Sequence, residues 1–414
     1  MKASFAPGFY WLICTQFLSA LADNALLLVT MAVLISDSYA AFWIPLLKWM
    51  FTLSYVLLGP WVGAWADTWP KQRVMMWANA IKTLACGLMI FGMNPLLSFG
   101  LAGLGAAIYA PAKYGLITEI EPPDRLVAAN GWIEVSTVCA ALFGVMLGGS
   151  LVSENWLASS TNSLFYPLLP QSNPFVVSLG VLLLLYVTSA LLNTRIPDSG
   201  VRYESSSWHI KAVWLRFQSD HLTLWRDPLG SISLSVTTLF WGVGATLQLL
   251  VLAWAQEALG LTLTQAAYLQ GATALGVIAG AALAAKTVAL ANAPKVIGMG
   301  IVLGLMLPLM SAVSNEQMAI ALVFAIGAVG GFFVVPMNAM LQHQGVQLLS
   351  AGRSISVQNV NENANILLMM GVYSALLYAD LNLETLTWLL GGLVALGMTW
   401  IRLRYQRICK PLPT

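Results

Sequence analysis

The sequence predicts an all-α, polytopic membrane protein with twelve transmembrane helices in two six-helix halves. Three observations carry that expectation. Hydrophobic residues make up 58% of the 414 positions and charged residues 9%, with a mean hydropathy of +0.77. Such a chain has more apolar surface than a water-soluble core could hide behind a polar exterior. Apolar runs long enough to cross about 30 Å of hydrocarbon recur twelve times, and the cations gather on alternate connections between them.

The runs fall near 9–35, 42–66, 73–94, 95–118, 126–152, 174–193, 229–256, 263–290, 294–313, 316–342, 352–379 and 383–404. The turn at Asn94-Pro95 divides the third from the fourth. The first run is too long for a signal-peptide core and lacks a small-residue cleavage site, so it is expected to remain as span one. Orientation follows from Lys and Arg. With both termini cytoplasmic, the inner segments collect Lys2, Lys71, Arg73, Arg125, Arg195, Arg202, Lys211, Arg216, Arg226, Lys286, Lys295, Arg353, Arg402, Arg404, Arg407 and Lys410. The outer loops then hold Asp37, Glu154, Glu257, Glu316, Asp380 and Glu384, with no Lys or Arg.

The longest inner connection, 194–228, divides an N-terminal half, 1–193, from a C-terminal half with a basic tail, 229–414. Within it Ile210, Val213, Trp214 and Phe217 recur at helical spacing beside Lys211, Arg216 and Arg202. That pattern fits an amphipathic helix in the membrane interface; a solvated linker obeying the charge rule fits it too. The net charge of +2 is too small and scattered for nucleic acid. Cys14, Cys86, Cys139 and Cys409 form no CxxC, so neither a disulfide framework nor a metal site is expected, and no cofactor is called for. None of His209, His221 and His343 begins an HxxxxD pattern, which leaves an intramembrane acyltransferase or hydrolase without its machinery.

The halves echo each other. "LSALADNALLLV" at 18–29 overlies "FWGVGATLQLLV" at 240–251, and "AAIYAPAKYGL" at 106–116 overlies "GGFFVVPMNAML" at 330–341. The offsets are 222 and 225, and Pro111 and Pro336 each lie inside the fourth span of a half. Six plus six spans, parallel repeats and a long middle loop describe a transporter of the major facilitator type. The loop after span two, "GAWADTWPKQRVMM", keeps Gly63, Asp67, Lys71 and Arg73 at the spacing of the superfamily signature G-x-L-A-D-R-x-G-R-K, with Thr68, Trp69 and Pro70 departing from it. These four are the candidate gating residues: a small residue for close helix approach, and an acid among bases as a latch.

Polar residues at depth are the candidate binding set. A charge at a helix centre costs about 2.5 to 3.5 kcal/mol on insertion scales, so Asp23 requires a partner or a wet path. Gln16, Ser19, Asp23 and Thr30 form one stripe on span one, with Asn24 at its edge. Span five shows Asn130, Glu134 and Thr137 on the face that continues as Gly144 and Gly148. Span eleven shows Ser356, Asn359 and Asn363 beside Gln358, Glu362 and Asn365. Lys82 in span three and Lys113 in span four bring the opposite sign, and Gln248 in span seven completes the set. Asn79, Asn359 and Asn363 fit interhelical glue equally well. Gly59/Gly63, Gly144/Gly148, Gly276/Gly280 and Gly300/Gly304 read as packing seams, Pro60, Pro111 and Pro336 as kinks, and Lys48 as a snorkelling residue near the outer end of span two. A cavity with both signs suits a zwitterionic or anionic phosphate headgroup, Lys113 taking the phosphate and Asp23 an amine or hydroxyl. Proton coupling through a buried carboxylate uses the same residue, and both uses stay open.

The blocks "QFLSALADNALLL", "AAIYAPAKYGLITEI", "GGFFVVPMNAMLQ" and "VQNVNEN", with the spacing among them, resemble the bacterial lysophospholipid transporters of the major facilitator superfamily along nearly the whole chain. The resemblance implies a flippase of the bacterial inner membrane. It would move lysophospholipids such as lysophosphatidylethanolamine and lysophosphatidylglycerol from outer to inner leaflet, for reacylation by a cytoplasmic acyltransferase and acyl-carrier-protein synthetase. It also implies that Asp23 and Lys113 match the family's polar gate and headgroup positions. Where relatives carry an Arg in a T-L-R-F context, this chain reads Thr246, Leu247, Gln248, Leu249, so the partner of the span-one Asp is expected to be a neutral group or another cation. Some relatives carry a fused acyltransferase, and none is expected here because the sequence ends soon after span twelve. The alternative on the same fold is a proton-coupled exporter of drugs or small metabolites.

Overall fold

The computed structural model describes residues 5–40, 43–160, 174–203 and 209–408; Lys2, Cys409 and Lys410 lie outside them. No strand occurs among the described residues. The expected spans are helices α1 (Pro7–Ser36), α2 (Trp43–Thr68), α3 (Lys71–Ile90), α4 (Pro95–Ile120) and α5 (Leu126–Leu151), then α7 (Val176–Asn193) after a short α6 (Glu154–Ser160). The connecting segment contains α8 (Ile210–Arg226). Then come α9 (Pro228–Glu257), α10 (Leu263–Thr287), α11 (Ile297–Met306), α12 (Glu316–Leu348), α13 (Ala351–Tyr378) and α14 (Leu383–Ile408).

Local chemistry sets the ends. Asn94 accepts from the Leu96 and Leu97 amides at the start of α4, with Pro95 at the first helical position. Asp227 caps α9 through Gly230 N–H, and Asn315 caps α12 through Met318 N–H. Thr262 and Gln265 form a reciprocal capping box at α10. Gly92 takes φ 83°, ending α3 in a left-handed turn. The ninth span differs from the uniform run expected: α11 is flanked by 3-10 turns at Leu290–Val296 and Leu307–Ala312. Each turn contains a proline, Pro294 or Pro308, which lacks the N–H that α-helical bonding needs.

Among the described residues, nine stretches are long and apolar enough to cross a membrane on length and hydropathy alone. α2, α3 and α13 are not among them. α2 holds Lys48 and Asp67, α3 Lys71, Arg73 and Lys82, and α13 Arg353, Asn359 and Glu362, and these polar side chains lower the mean hydropathy of each helix.

The chain forms two compact units. The first comprises Met1–Glu121, Cys139–Phe217 and Ser350–Asn359; its core joins Leu26 and Val29 of α1, Met89 of α3, Phe99 of α4 and Leu179 and Tyr186 of α7. The second comprises Pro122–Val138, Gln218–Leu349 and Val360–Thr414, with Val243, Leu250 and Trp254 of α9 packed with Phe333 of α12 and Val394 of α14. Trp254 is buried with its indole N–H donated to the Met310 carbonyl at 3.0 Å. Each unit thus includes a short segment from the opposite half of the sequence, the start of α13 in the first and the start of α5 in the second.

Glycine pairs mark the close helix approaches. A Cβ on Gly144 or Gly148 would meet Leu21, Asn24 and Ala25 of α1; on Gly276 or Gly280, the α12 backbone at Phe324 and Ala328; on Gly300 or Gly304, Met398 and Ala395 of α14. Gly63 lies against Gly352, Arg353 and Ser356 of α13, and the Ser356 hydroxyl donates to the Gly59 carbonyl.

Candidate functional site

Asp23 sits midway along α1, on the edge of its buried face. Its Oδ2 receives the Lys82 ammonium of α3 at 2.6 Å, and its Oδ1 the Tyr186 hydroxyl of α7 at 2.9 Å. The Lys82 side chain is 2% exposed and that of Asp23 17%. Lys82 also donates to Ser19 Oγ at 3.0 Å, and its nitrogen lies 5.4 and 5.8 Å from the Tyr109 and Tyr186 ring centres. Beneath the pair runs a chain of hydrogen bonds: Ser19 to Asn79 Oδ1 at 2.7 Å, Asn79 Nδ2 to Ser189 Oγ at 2.9 Å, and Ser189 to the Thr15 carbonyl at 2.9 Å. The expected alternative to a span-seven Arg is therefore a cation from span three. Each charge at this depth thus has an opposite partner, which offsets part of the penalty it would carry alone.

The gating residues form a second cluster within the first unit. Asp67, 5% exposed, accepts from the Ser350 hydroxyl, from Gly352 N–H at 2.8 Å and from Arg353 N–H at 3.1 Å. The two amides are donors that the first turn of α13 cannot satisfy internally, so a carboxylate from α2 caps α13 and meets the positive end of its dipole. Gly63, one turn back, has no side chain to hold α13 away. Lys71 bridges Glu119 of α4 at 2.6 Å and Asp67 at 3.7 Å, and its ammonium faces the Tyr203 ring at 4.9 Å. Burial, then the charges of Glu119 and Asp67, push the Tyr203 hydroxyl above its ordinary range and keep it neutral. Glu119 also accepts from Ser199 at 2.6 Å. Arg73 is exposed and makes no ion pair among the described residues, so it stands apart from this cluster.

The remaining candidates are distributed. Asn24 returns its amide to the Ala20 carbonyl at 2.8 Å and borders Gly144. Lys113 is buried in α4 with its ammonium 4.2 Å from the Tyr114 ring centre. Glu134 is buried in the second unit, as is Glu362; Asn359 is buried at the end of the first unit's α13 segment. Gln248 is exposed, and its backbone carbonyl accepts from Gln270 at 2.8 Å. Asn130 forms a reciprocal amide pair with Gln342 of α12. Sequence reading missed Tyr186, Glu119, Ser350 and Gln342. All are partners of flagged residues from distant parts of the sequence, and helical periodicity reports a face without naming its neighbour. Among the described residues no group of three or more His, Cys, Asp or Glu could hold a metal ion.

The sequence model of the Major Facilitator Superfamily matches residues 12–360. Solved transporters share the fold: a bacterial homologue of the iron transporter ferroportin in an outward-facing state, 16% identical with a TM-score of 0.70 over 97% of this chain and 99% of that one, and FucP in the outward conformation, 16% identical with a TM-score of 0.71 over 99% and 100%. These likenesses and the helices define the class, a transporter of the Major Facilitator Superfamily. Relatives named "Lysophospholipid transporter LplT" are 37% identical in Citrobacter koseri, over 97% of both chains, and 39% identical in Klebsiella pneumoniae (strain 342), over 89% of both. The chain belongs to the family of these lysophospholipid transporters.

Proposed function

We propose that the protein carries lysophospholipids such as lysophosphatidylethanolamine from the outer to the inner leaflet of the bacterial inner membrane. The single observation behind this reading is the 37% identity, over 97% of both chains, to a relative named for lysophospholipid transport. The moving bodies are the sequence halves 1–193 and 229–414, joined by 194–228, and transport proceeds by alternating access. Both termini face the cytoplasm, as the Lys and Arg distribution requires. There the delivered lipid is reacylated by a cytoplasmic acyltransferase and acyl-carrier-protein synthetase.

Asp23 contacts the headgroup through its exposed edge, and Lys113 takes the phosphate. Asn24, Glu134, Gln248, Asn359 and Glu362 supply polar contacts along the path. Gly63, Asp67 and Lys71 close the basic ends of α2 and α13, with Arg73 on the solvent side. Labelled lysophosphatidylethanolamine supplied to spheroplasts lacking their own transporter tests the reading: uptake rises when this protein is expressed, and an unchanged rate refutes it. Uptake that survives collapse of the proton gradient separates the flippase from a proton-coupled exporter.

A further inference from the structure

Lys82 reads from sequence as one of the substrate-binding residues, yet its surroundings give it a different task. The ammonium has three donors. One goes to Asp23 and one to Ser19, and the faces of Tyr109 and Tyr186 lie against the same nitrogen. With 2% of the side chain exposed, a phosphate could reach it only by dislodging Asp23. Asp23 is differently placed. Each of its oxygens has accepted one hydrogen bond, leaving lone pairs free on a carboxylate that is 17% exposed.

We propose that Lys82 is a positioning residue: it holds the Asp23 carboxylate in place, and of this pair only Asp23 meets the headgroup. The inference rests on the reading of Asp23 as a headgroup contact. The hydrogen-bond chain beneath the pair supports it, because each hydroxyl in the chain has a fixed acceptor. Ser189 gives its proton to the Thr15 carbonyl and accepts from Asn79, whose carbonyl oxygen takes the Ser19 proton. The Ser19 oxygen is thereby left with lone pairs turned to Lys82. Three helices, α1, α3 and α7, thus fix the ammonium as framework.

The consequence is electrostatic. Facing Asp23 are Tyr55 from α2, Lys82 from α3, Tyr109 from α4 and Tyr186 from α7, and of these four only Lys82 is a cation. Removing it leaves a largely buried carboxylate without its cation and with one of its two hydrogen bonds gone. A Lys82→Met variant should therefore hold the headgroup less tightly, and the loss should act through Asp23.

The test uses full-length protein in proteoliposomes and labelled lysophosphatidylethanolamine over a range of concentrations at one pH. Lys82→Met raises KM about tenfold, and Lys82→Arg, which keeps the charge, recovers most of that loss. In an Asp23→Asn background Lys82→Met raises KM no further, because the residue acts through Asp23. Tyr186→Phe removes only the Oδ1 hydrogen bond and raises KM by less. A native KM for Lys82→Met, or the same added loss with and without the Asp23 carboxylate, overturns the inference. If Lys82→Met does not reach the membrane, a native KM for Tyr186→Phe overturns it. A native KM for Asp23→Asn would instead overturn the headgroup reading itself, whatever Lys82→Met shows.

Discussion

The side chains of Asn130 and Gln342 exchange two hydrogen bonds, each 2.8 Å, between helices 212 residues apart in sequence. Both residues are buried. Truncating one leaves the other's amide without its partner, at about 1–3 kcal/mol for a buried unsatisfied group. Replacing both with leucine removes the polar groups together. Asn130→Ala and Gln342→Ala should each lower the thermal midpoint of the detergent-purified protein, and the Leu/Leu double variant should lose less than their sum. Additive losses would mean that the amides act separately.

Next to this pair, Gly131 lies so close to α10 that an added Cβ would stand 2.6 Å from the Ala285 Cβ and 3.0 Å from the Ala281 carbonyl oxygen. At Gly63 an added Cβ would stand 2.7 Å from the Ser356 Cβ. Residue 285 lies 222 positions beyond 63, and 356 lies 225 beyond 131, which are the offsets of the internal repeat. The same tight approach is therefore built twice, with the glycine on opposite members. Gly131→Ala should destabilise the protein, and Ala285→Gly should restore part of the loss, the Ala281 carbonyl preventing full rescue. Thermal midpoints of the single and double variants measure this.

The repeat did not copy the polar contact. Position 289, which lies 222 beyond Asp67, is Ala, so the capping carboxylate occurs in only one copy. Asp67→Ala removes the acceptor for three donors at the start of α13, and losing a cap costs about 0.5–2 kcal/mol. It also strips Lys71 of one of its two acidic neighbours. Asp67→Asn keeps an oxygen acceptor and should be milder. Since Asp67 and Lys71 are 5% and 3% exposed, raising the salt concentration should change neither effect much. Thermal midpoints at low and high salt check both statements; a loss abolished by salt would place the charges in solvent.

How much of this was legible depends on whether the signal lies within one helix. The spans were readable because each must be about 20 apolar residues long, whatever packs around it. The glycine seams were readable because small residues four apart occupy one face. Asp23 and Lys82 each stood out as charges in hydrocarbon, but their pairing was not readable: periodicity places a residue on a face and leaves the rotation between helices undetermined. For the same reason Tyr186 passed as one more aromatic, and Gln342 as an unremarked polar residue near a helix end. The 3-10 turns around α11 could have been anticipated, since Pro294 and Pro308 stand at both ends of that run.

The segment after α7 carries a contact whose response to acid can be stated with its sign. Asp198 accepts two hydrogen bonds from the Arg202 guanidinium, at 3.0 and 2.5 Å, and one from Gly200 N–H at 3.0 Å. The Arg202 bonds chiefly, then the Gly200 amide, hold its carboxyl at about 2, below the ordinary 3.8. A depressed folded value means that the contact stabilises above the unfolded value and is lost as pH falls toward about 2. Both side chains are more than a third exposed, so the effect on stability at neutral pH is small and salt weakens it further. Arg202→Gln should move the Asp198 titration midpoint up toward 3.8 and leave the thermal midpoint at neutral pH nearly unchanged. Carboxyl chemical shifts followed through the acid range measure the first effect, and an unmoved midpoint would show that the guanidinium does not hold this carboxylate in solution.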